Sequence, residues 1–265
     1  MTRPPPISSR SHLTRVDGID IHSEMLGGNA DDDPCFVLVH GLGMSSRYMM
    51  PTARLLAAHG RVEVPDLPGF GKSGKPPVAL DIPGLADALA AWMRARRLCA
   101  CTLVGNSLGA QVIVDLAVRH PELLACAVLV GPTIDPGARR VSTQICRLLA
   151  DVPREPLPLY PIGLSDYLRA GFLRVLRTLR HALRDPIVEK LPRVTMPVLV
   201  IRGGLDPLVP QRWVEQVERL IPRARQITFP GVAHAVNFDA PEKLAAEIFR
   251  FIASLPADGR VEPRL

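Results

Sequence analysis

Nowhere in this 265-residue chain does an uncharged apolar run reach the ~20 residues that span a bilayer, so no transmembrane helix is expected. The opening Met1-Thr2-Arg3-Pro4-Pro5-Pro6 leads into polar residues instead of an apolar signal core, and the expected location is the cytoplasm. Cysteine is sparse and odd in number. Cys35, Cys99, Cys101, Cys126 and Cys146 sit mostly in apolar, strand-like runs, which suits reduced buried thiols better than a disulfide framework. Cys99 and Cys101 have neither a second cysteine pair nor a nearby histidine to complete four ligands, so no metal site is expected. The net charge of +6 and the pI near 9.4 come from scattered arginines without interleaved aromatics or a nucleic-acid-binding motif, which argues against nucleic acid as a partner. No internal repeat or low-complexity tract is present, and solenoid architectures are excluded with them.

What is present is an ordinary globular composition, 47% hydrophobic and 22% charged. Leu13 to Val16 and Ile19 to His22 flank Asp17-Gly18, a hairpin signal. The apolar runs Cys35 to Val39, Cys101 to Val104, Ala125 to Val130 and Val198 to Ile201 read as buried strands, with shorter strands at 61–65 and 226–229. They alternate with helical patterns near 47–59, 81–97, 110–119, 211–220 and 241–255. That alternation predicts a doubly wound, mostly parallel eight-stranded sheet. The rhythm breaks between Asp135 and Lys190, where prolines at 136, 153, 156, 158 and 161 divide arginine-rich helical pieces. The expected organisation is a core in two parts, 1–134 and 191–265, with a helical cap inserted at 135–190. This insertion holds ten lysines and arginines against six aspartates and glutamates. Such a surplus suggests steering of anionic substrates, and equally fits a solvated helical face carrying Arg174, Arg177, Arg180 and Arg184.

The chemistry is signalled by Gly105-Asn106-Ser107-Leu108-Gly109, set between a strand and a helix. A serine on so sharp a turn is held in a strained backbone conformation, and side chains at 105 and 109 would collide with it. Its hydroxyl is a poor nucleophile at neutral pH, so it needs a neutral imidazole to take its proton and a carboxylate to fix that imidazole's tautomer. His234 follows the last strand and Asp206 the strand before it. Both stand at carboxyl ends, which in an open parallel sheet share one edge with the serine turn. Asp135 and Asp239 are rival acids near the same loops, and Asp206 is preferred. His59 and His120, at helix ends, read as structural. Gly69-Phe70-Gly71-Lys72-Ser73 mimics the end of a phosphate-binding loop, but Asp66 stands where that loop needs its first glycine, so it reads as a structural turn.

Four segments now stand in order: His40-Gly41-Leu42-Gly43, the turn from Asp66 to Ser73, the serine pentapeptide, and Gly203 to Pro210 followed by His234. Through them the chain resembles the α/β-hydrolase superfamily over nearly its whole length. The resemblance implies Ser107 as nucleophile, His234 as general base, Asp206 as orienting acid, and the backbone amides of Leu42 and Leu108 as an oxyanion hole. Gly41, Asn106 and Arg47 become candidate substrate contacts, and His40 a shaper of the oxyanion loop. Dehalogenases and epoxide hydrolases of the superfamily use an aspartate where this chain has Ser107. The expected reaction is therefore cleavage of a carboxylic ester of a small, largely apolar molecule through an acyl-enzyme, with neither metal nor organic cofactor. Two alternatives stand beside it. Asn106 resembles the elbow of hydrolases that cleave carbon-carbon bonds in meta-ring-cleavage products, although their usual Gly-Pro-Gly and later tryptophan are replaced here by Leu42-Gly43-Met44 and Ala235-Val236-Asn237. Small-molecule receptors with slow or no turnover can retain the same triad.

Overall fold

Strands that read as continuous apolar runs are the ones buried on both faces, and they set the layering. In the computed structural model, which describes residues 8–28 and 34–256, the chain opens with β1 (Arg10–Val16) and β2 (Ile19–Leu26). Their turn places Asp17 at φ 48° and Gly18 at φ 78°, the left-handed pair that matches the twist of a tight hairpin. There follow β3 (Cys35–Val39), α1 (Ser46–Leu56), β4 (Arg61–Pro65), α2 (Ile82–Ala95), β5 (Cys101–Asn106), α3 (Leu108–Arg119) and β6 (Leu124–Val130). Four helices come next: α4 (Val141–Asp151), α5 (Leu159–Ala170), α6 (Phe172–Arg184) and α7 (Ile187–Lys190). The chain then returns to β7 (Val198–Gly203), α8 (Gln211–Leu220), β8 (Ala224–Phe229), α9 (Val236–Asp239) and α10 (Pro241–Ala253).

The eight strands form one sheet in the order β1-β2-β4-β3-β5-β6-β7-β8. Strand β2 runs antiparallel to both of its neighbours, and the remaining pairings are parallel. Alternation along β3 sends Val37 and Val39 to one face and Phe36 and Leu38 to the other. The first face packs under α2, α3 and α8, with Trp92, Ile113 and Trp213 at its centre; the second packs under α1 and α10, with Met49, Leu56 and Ile248. The sheet is thus doubly wound. Because β3 and β5 to β8 run parallel, their carboxyl ends share one edge.

The helices between β6 and β7 are tied to that edge by buried polar contacts. Gln111 Nε2 on α3 donates to Ala182 O and to Asp185 Oδ2, each at 3.0 Å, and Lys190 Nζ pairs with Asp115 at 2.5 Å. Helix α6 explains the arginine spacing: Val175, Thr178, Ala182 and Leu183 are buried, while Arg177, Arg180 and Arg184 are exposed.

Candidate active site

Ser107 sits between β5 and α3 at φ 56° and ψ −118°, the strained turn that the two flanking glycines permit. A Cβ on Gly105 would come within 2.6 Å of the Gly109 carbonyl, and one on Gly109 within 2.3 Å of Val39 O. Both contacts are with backbone, which has nowhere to move. The turn is pinned to the sheet by the Ser107 amide, which donates to Val130 O at 2.9 Å.

Across the same edge, the loop after β7 carries Asp206 and the loop after β8 carries His234. Asp206 Oδ1 accepts from the amides of Leu208 and Val209 at 2.8 and 3.1 Å, and Oδ2 accepts from His234 Nδ1 at 2.6 Å. Three donors hold the carboxylate in one orientation, and the carboxylate in turn directs Nε2 of His234 away from itself. His234 is 7% exposed, and its Nε2 has no hydrogen-bond partner among the described residues. Burial pulls the imidazole pKa down, but the charge of Asp206 and its hydrogen bond, helped by Asp151 and Glu155, raise it to about 9. The rival acids are elsewhere. Asp135 is taken up by Gly137 N, Arg147 and Arg212, and Asp239 closes α9.

The loop after β3 brings Gly41 and Leu42 beside the serine. A Cβ at Gly41 would stand 3.2 Å from Asn106 Oδ1 and 3.3 Å from Ser107 Cβ, so glycine keeps this approach open. The amides of Leu42 and Leu108 have no backbone acceptor among the described residues, as expected of donors left for a ligand at a helix N-terminus and an adjoining loop. His40 holds the loop in place: Nδ1 donates to Gly41 O at 2.8 Å, and Nε2 accepts the Leu67 amide at 2.9 Å. Burial lowers its pKa, and the two partners require the neutral tautomer.

Two expected substrate contacts have other work. Asn106 is buried, its Nδ2 donating to His234 O at 3.2 Å while its Oδ1 accepts from Tyr48 Oη at 3.1 Å. It braces the serine turn against the histidine loop, with its amide group already occupied. Arg47 does not reach the cavity; its guanidinium lies on Asp166 and Ser165 of α5 because those acceptors face it from the helix packed above.

The cavity between sheet edge and helices has a volume of about 490 Å³ and is mostly apolar. Ser107 and His234 open into it beside Gly41, Leu42, Asn106 and Leu108, under Leu148, Leu159 and Tyr167. Among the described residues, no lysine or arginine lines it. Of the two readings of the arginine surplus, the geometry favours the solvated face: Arg177, Arg180 and Arg184 are exposed, Arg174 Nη2 donates to Pro76 O, and Arg147 is bound to Asp135. The charged side chains that do line it from the helices are Asp151 and Glu155, which sequence reasoning passed over. Their only signal was two carboxyls four residues apart, a like-charge spacing that a helical stretch gains nothing from.

A family model described as the alpha/beta hydrolase family matches residues 36–247. An Agrobacterium fabrum protein with the provisional name carbamate hydrolase RutD is 28% identical over 261 residues, covering 90% of this chain and 99% of that protein. An Aeromonas salmonicida protein named pimeloyl-acyl-carrier-protein methyl ester esterase is 28% identical over 250 residues, covering 82% and 94%. Among solved structures, the enol-lactonase from Burkholderia xenovorans LB400 superposes with a TM-score of 0.80 at 20% identity, over 92% of this chain and all of that one, a likeness of fold alone.

Proposed function

Because the chain belongs to the alpha/beta hydrolase family, we propose that it is a serine hydrolase cleaving a carboxylic ester of a small, largely apolar molecule through an acyl-enzyme. The observation that carries this reading is the strained Ser107 opening into the same apolar cavity as His234, whose other ring nitrogen is held by Asp206 at 2.6 Å. Residues 135–190 act as the cap over a core built from 1–134 and 191–265. As the ester seats, the serine hydroxyl turns to His234 Nε2, a contact of the kind that often tightens only in the complex. The oxygen then attacks the carbonyl, Nε2 takes the proton, and the amides of Leu42 and Leu108 receive the oxyanion. His234 returns the proton to the departing alcohol, then activates the water that frees the acid. Relatives named for hydrolysis of a methyl ester and of a carbamate support a carbonyl carbon as the electrophile.

The carbon-carbon alternative rests on the resemblance of the Asn106 elbow to hydrolases whose ring-cleavage substrates are dianionic and would suit a basic cap. Asp151 and Glu155 in the cavity wall would repel such a substrate, so ester cleavage is the better fit. A fluorophosphonate probe tests the proposal directly. One adduct on Ser107 is expected by mass spectrometry, with p-nitrophenyl butyrate turnover lost in step with labelling. Turnover that survives full labelling of Ser107, or labelling only at another residue, would refute it; no turnover with tight retention of a small ligand would favour a receptor.

A further inference from the structure

Four aspartates are buried between residues 135 and 190: Asp135, Asp151, Asp166 and Asp185. Three of them carry cationic partners. Asp135 is paired with Arg147 and Arg212, Asp166 with Arg47, and Asp185 with Lys190. Asp151, 3% exposed, has no ion pair among the described residues, in the segment richest in arginine. It closes α4, and Glu155 follows about one turn later, with the two carboxyls within hydrogen-bonding reach of each other. Glu155 Oε1 accepts the amide of Ala235 at 2.7 Å, so the pair leans on the residue after His234. Asp151 is also held by the backbone of His234, but Asp151 Oδ1 and Glu155 Oε2 meet no donor from any other described side chain, and both side chains line the cavity that Ser107 opens into. A buried carboxylate without a cationic partner is costly, and each of the other three buried aspartates of this segment has one.

Resting on the reading of Ser107 as an ester-cleaving nucleophile, we propose that Asp151 and Glu155 form a cation-binding subsite, and that the substrate is an ester carrying a protonated amine. Tyr48, Tyr160 and Tyr167 line the same cavity and suit a partly desolvated cation. The titration of the pair agrees. Burial pushes Asp151 up, and burial followed by the charge of Asp151 pushes Glu155 up to about 8, so the empty cavity resists the second negative charge that a bound cation would stabilise.

The test compares two esters of one shape, 2-(dimethylamino)ethyl butyrate and its uncharged isostere 3-methylbutyl butyrate, at neutral pH. The wild type should favour the amine ester by about tenfold or more in kcat/KM, the effect of a hydrogen bond to a charged group. The double variant Asp151→Asn with Glu155→Gln should erase that preference. If the double variant fails to fold, Asp151→Asn alone carries the comparison. Ser107-dependent cleavage of both esters at equal efficiency, or a preference that survives in the variants, overturns the subsite and leaves the hydrolase reading intact. If neither ester is cleaved, the hydrolase reading is what suffers, and calorimetry on Ser107→Ala decides the subsite. Tighter binding of the amine ester by the same factor supports it; equal binding, or none, overturns it.

Discussion

At the carboxyl edge of the sheet, nearly every buried polar side chain is occupied: Asp206 accepts three hydrogen bonds, Asn106 makes two, and His40 uses both ring nitrogens. The helical wall opposite is built otherwise, with two carboxyl oxygens left without side-chain donors and its arginines turned to solvent or to other partners. Among the described residues, the edge is therefore largely braced before any ligand arrives, with the Ser107 hydroxyl, His234 Nε2 and the amides of Leu42 and Leu108 left uncommitted. The wall is complete only with a guest. On the proposed reading, reaction type belongs to the first region and substrate choice to the second, a division that follows from where uncommitted groups are left.

The largest expected effect breaks the edge alone. Ser107→Ala or His234→Ala should lower kcat on p-nitrophenyl butyrate by about four to six powers of ten, with the melting temperature and circular dichroism little changed. Activity within tenfold of wild type in either variant would show that the edge does not do the chemistry.

A smaller loss is expected where the edge is braced. Asn106→Ala removes the link between the serine turn and the histidine loop without touching a reacting group, and should cost about ten- to a hundredfold in kcat with KM nearly constant. A rise in KM at unchanged kcat would instead make Asn106 a substrate contact.

A pH profile joins the two regions. His234 must be neutral to accept the serine proton, and its pKa is raised to about 9, so kcat/KM should climb as pH rises through about 9 and fall off below it. Asp206, Asp151 and Glu155 are the carboxyls acting on this imidazole. Replacing both wall carboxyls by amides should slide the limb toward the ordinary histidine range, because two of the charges that favour the imidazolium are gone. A limb that stays in place would mean that the wall does not act on the base. The smallest effect should come from the outer face: Arg177→Gln with Arg180→Gln should alter kcat/KM for either butyrate ester by less than about twofold, since exposed charges are screened by salt. A larger change confined to the amine ester would give the outer arginines a role in repelling cations.

Much of the fold was legible because its signals are local. Runs such as Val198 to Ile201 have no polar face to expose, and the Asp17-Gly18 turn demands the left-handed conformations that it adopts. The arginine spacing in α6 likewise showed that one face of the helix is wet. It did not show what the dry face meets. The hydrogen bonds of Asn106 and Arg47 were illegible for the same reason: their partners, Tyr48 with His234 and Asp166, lie 58, 128 and 119 residues away. Asp151 and Glu155 carry no motif at all.

By itself, the sequence determined the alternation of strand and helix, the insertion, the serine turn and the carriers of the candidate acid and base, since each rests on steric rules acting over a few residues or on strand ends that a parallel sheet brings to one edge. The tertiary structure alone decided which side chains are already hydrogen-bonded and which charges line the cavity. Those are properties of burial and of partners distant in the chain, and the basic surplus visible in residues 135–190 was no guide to an inner wall whose charged groups are acidic.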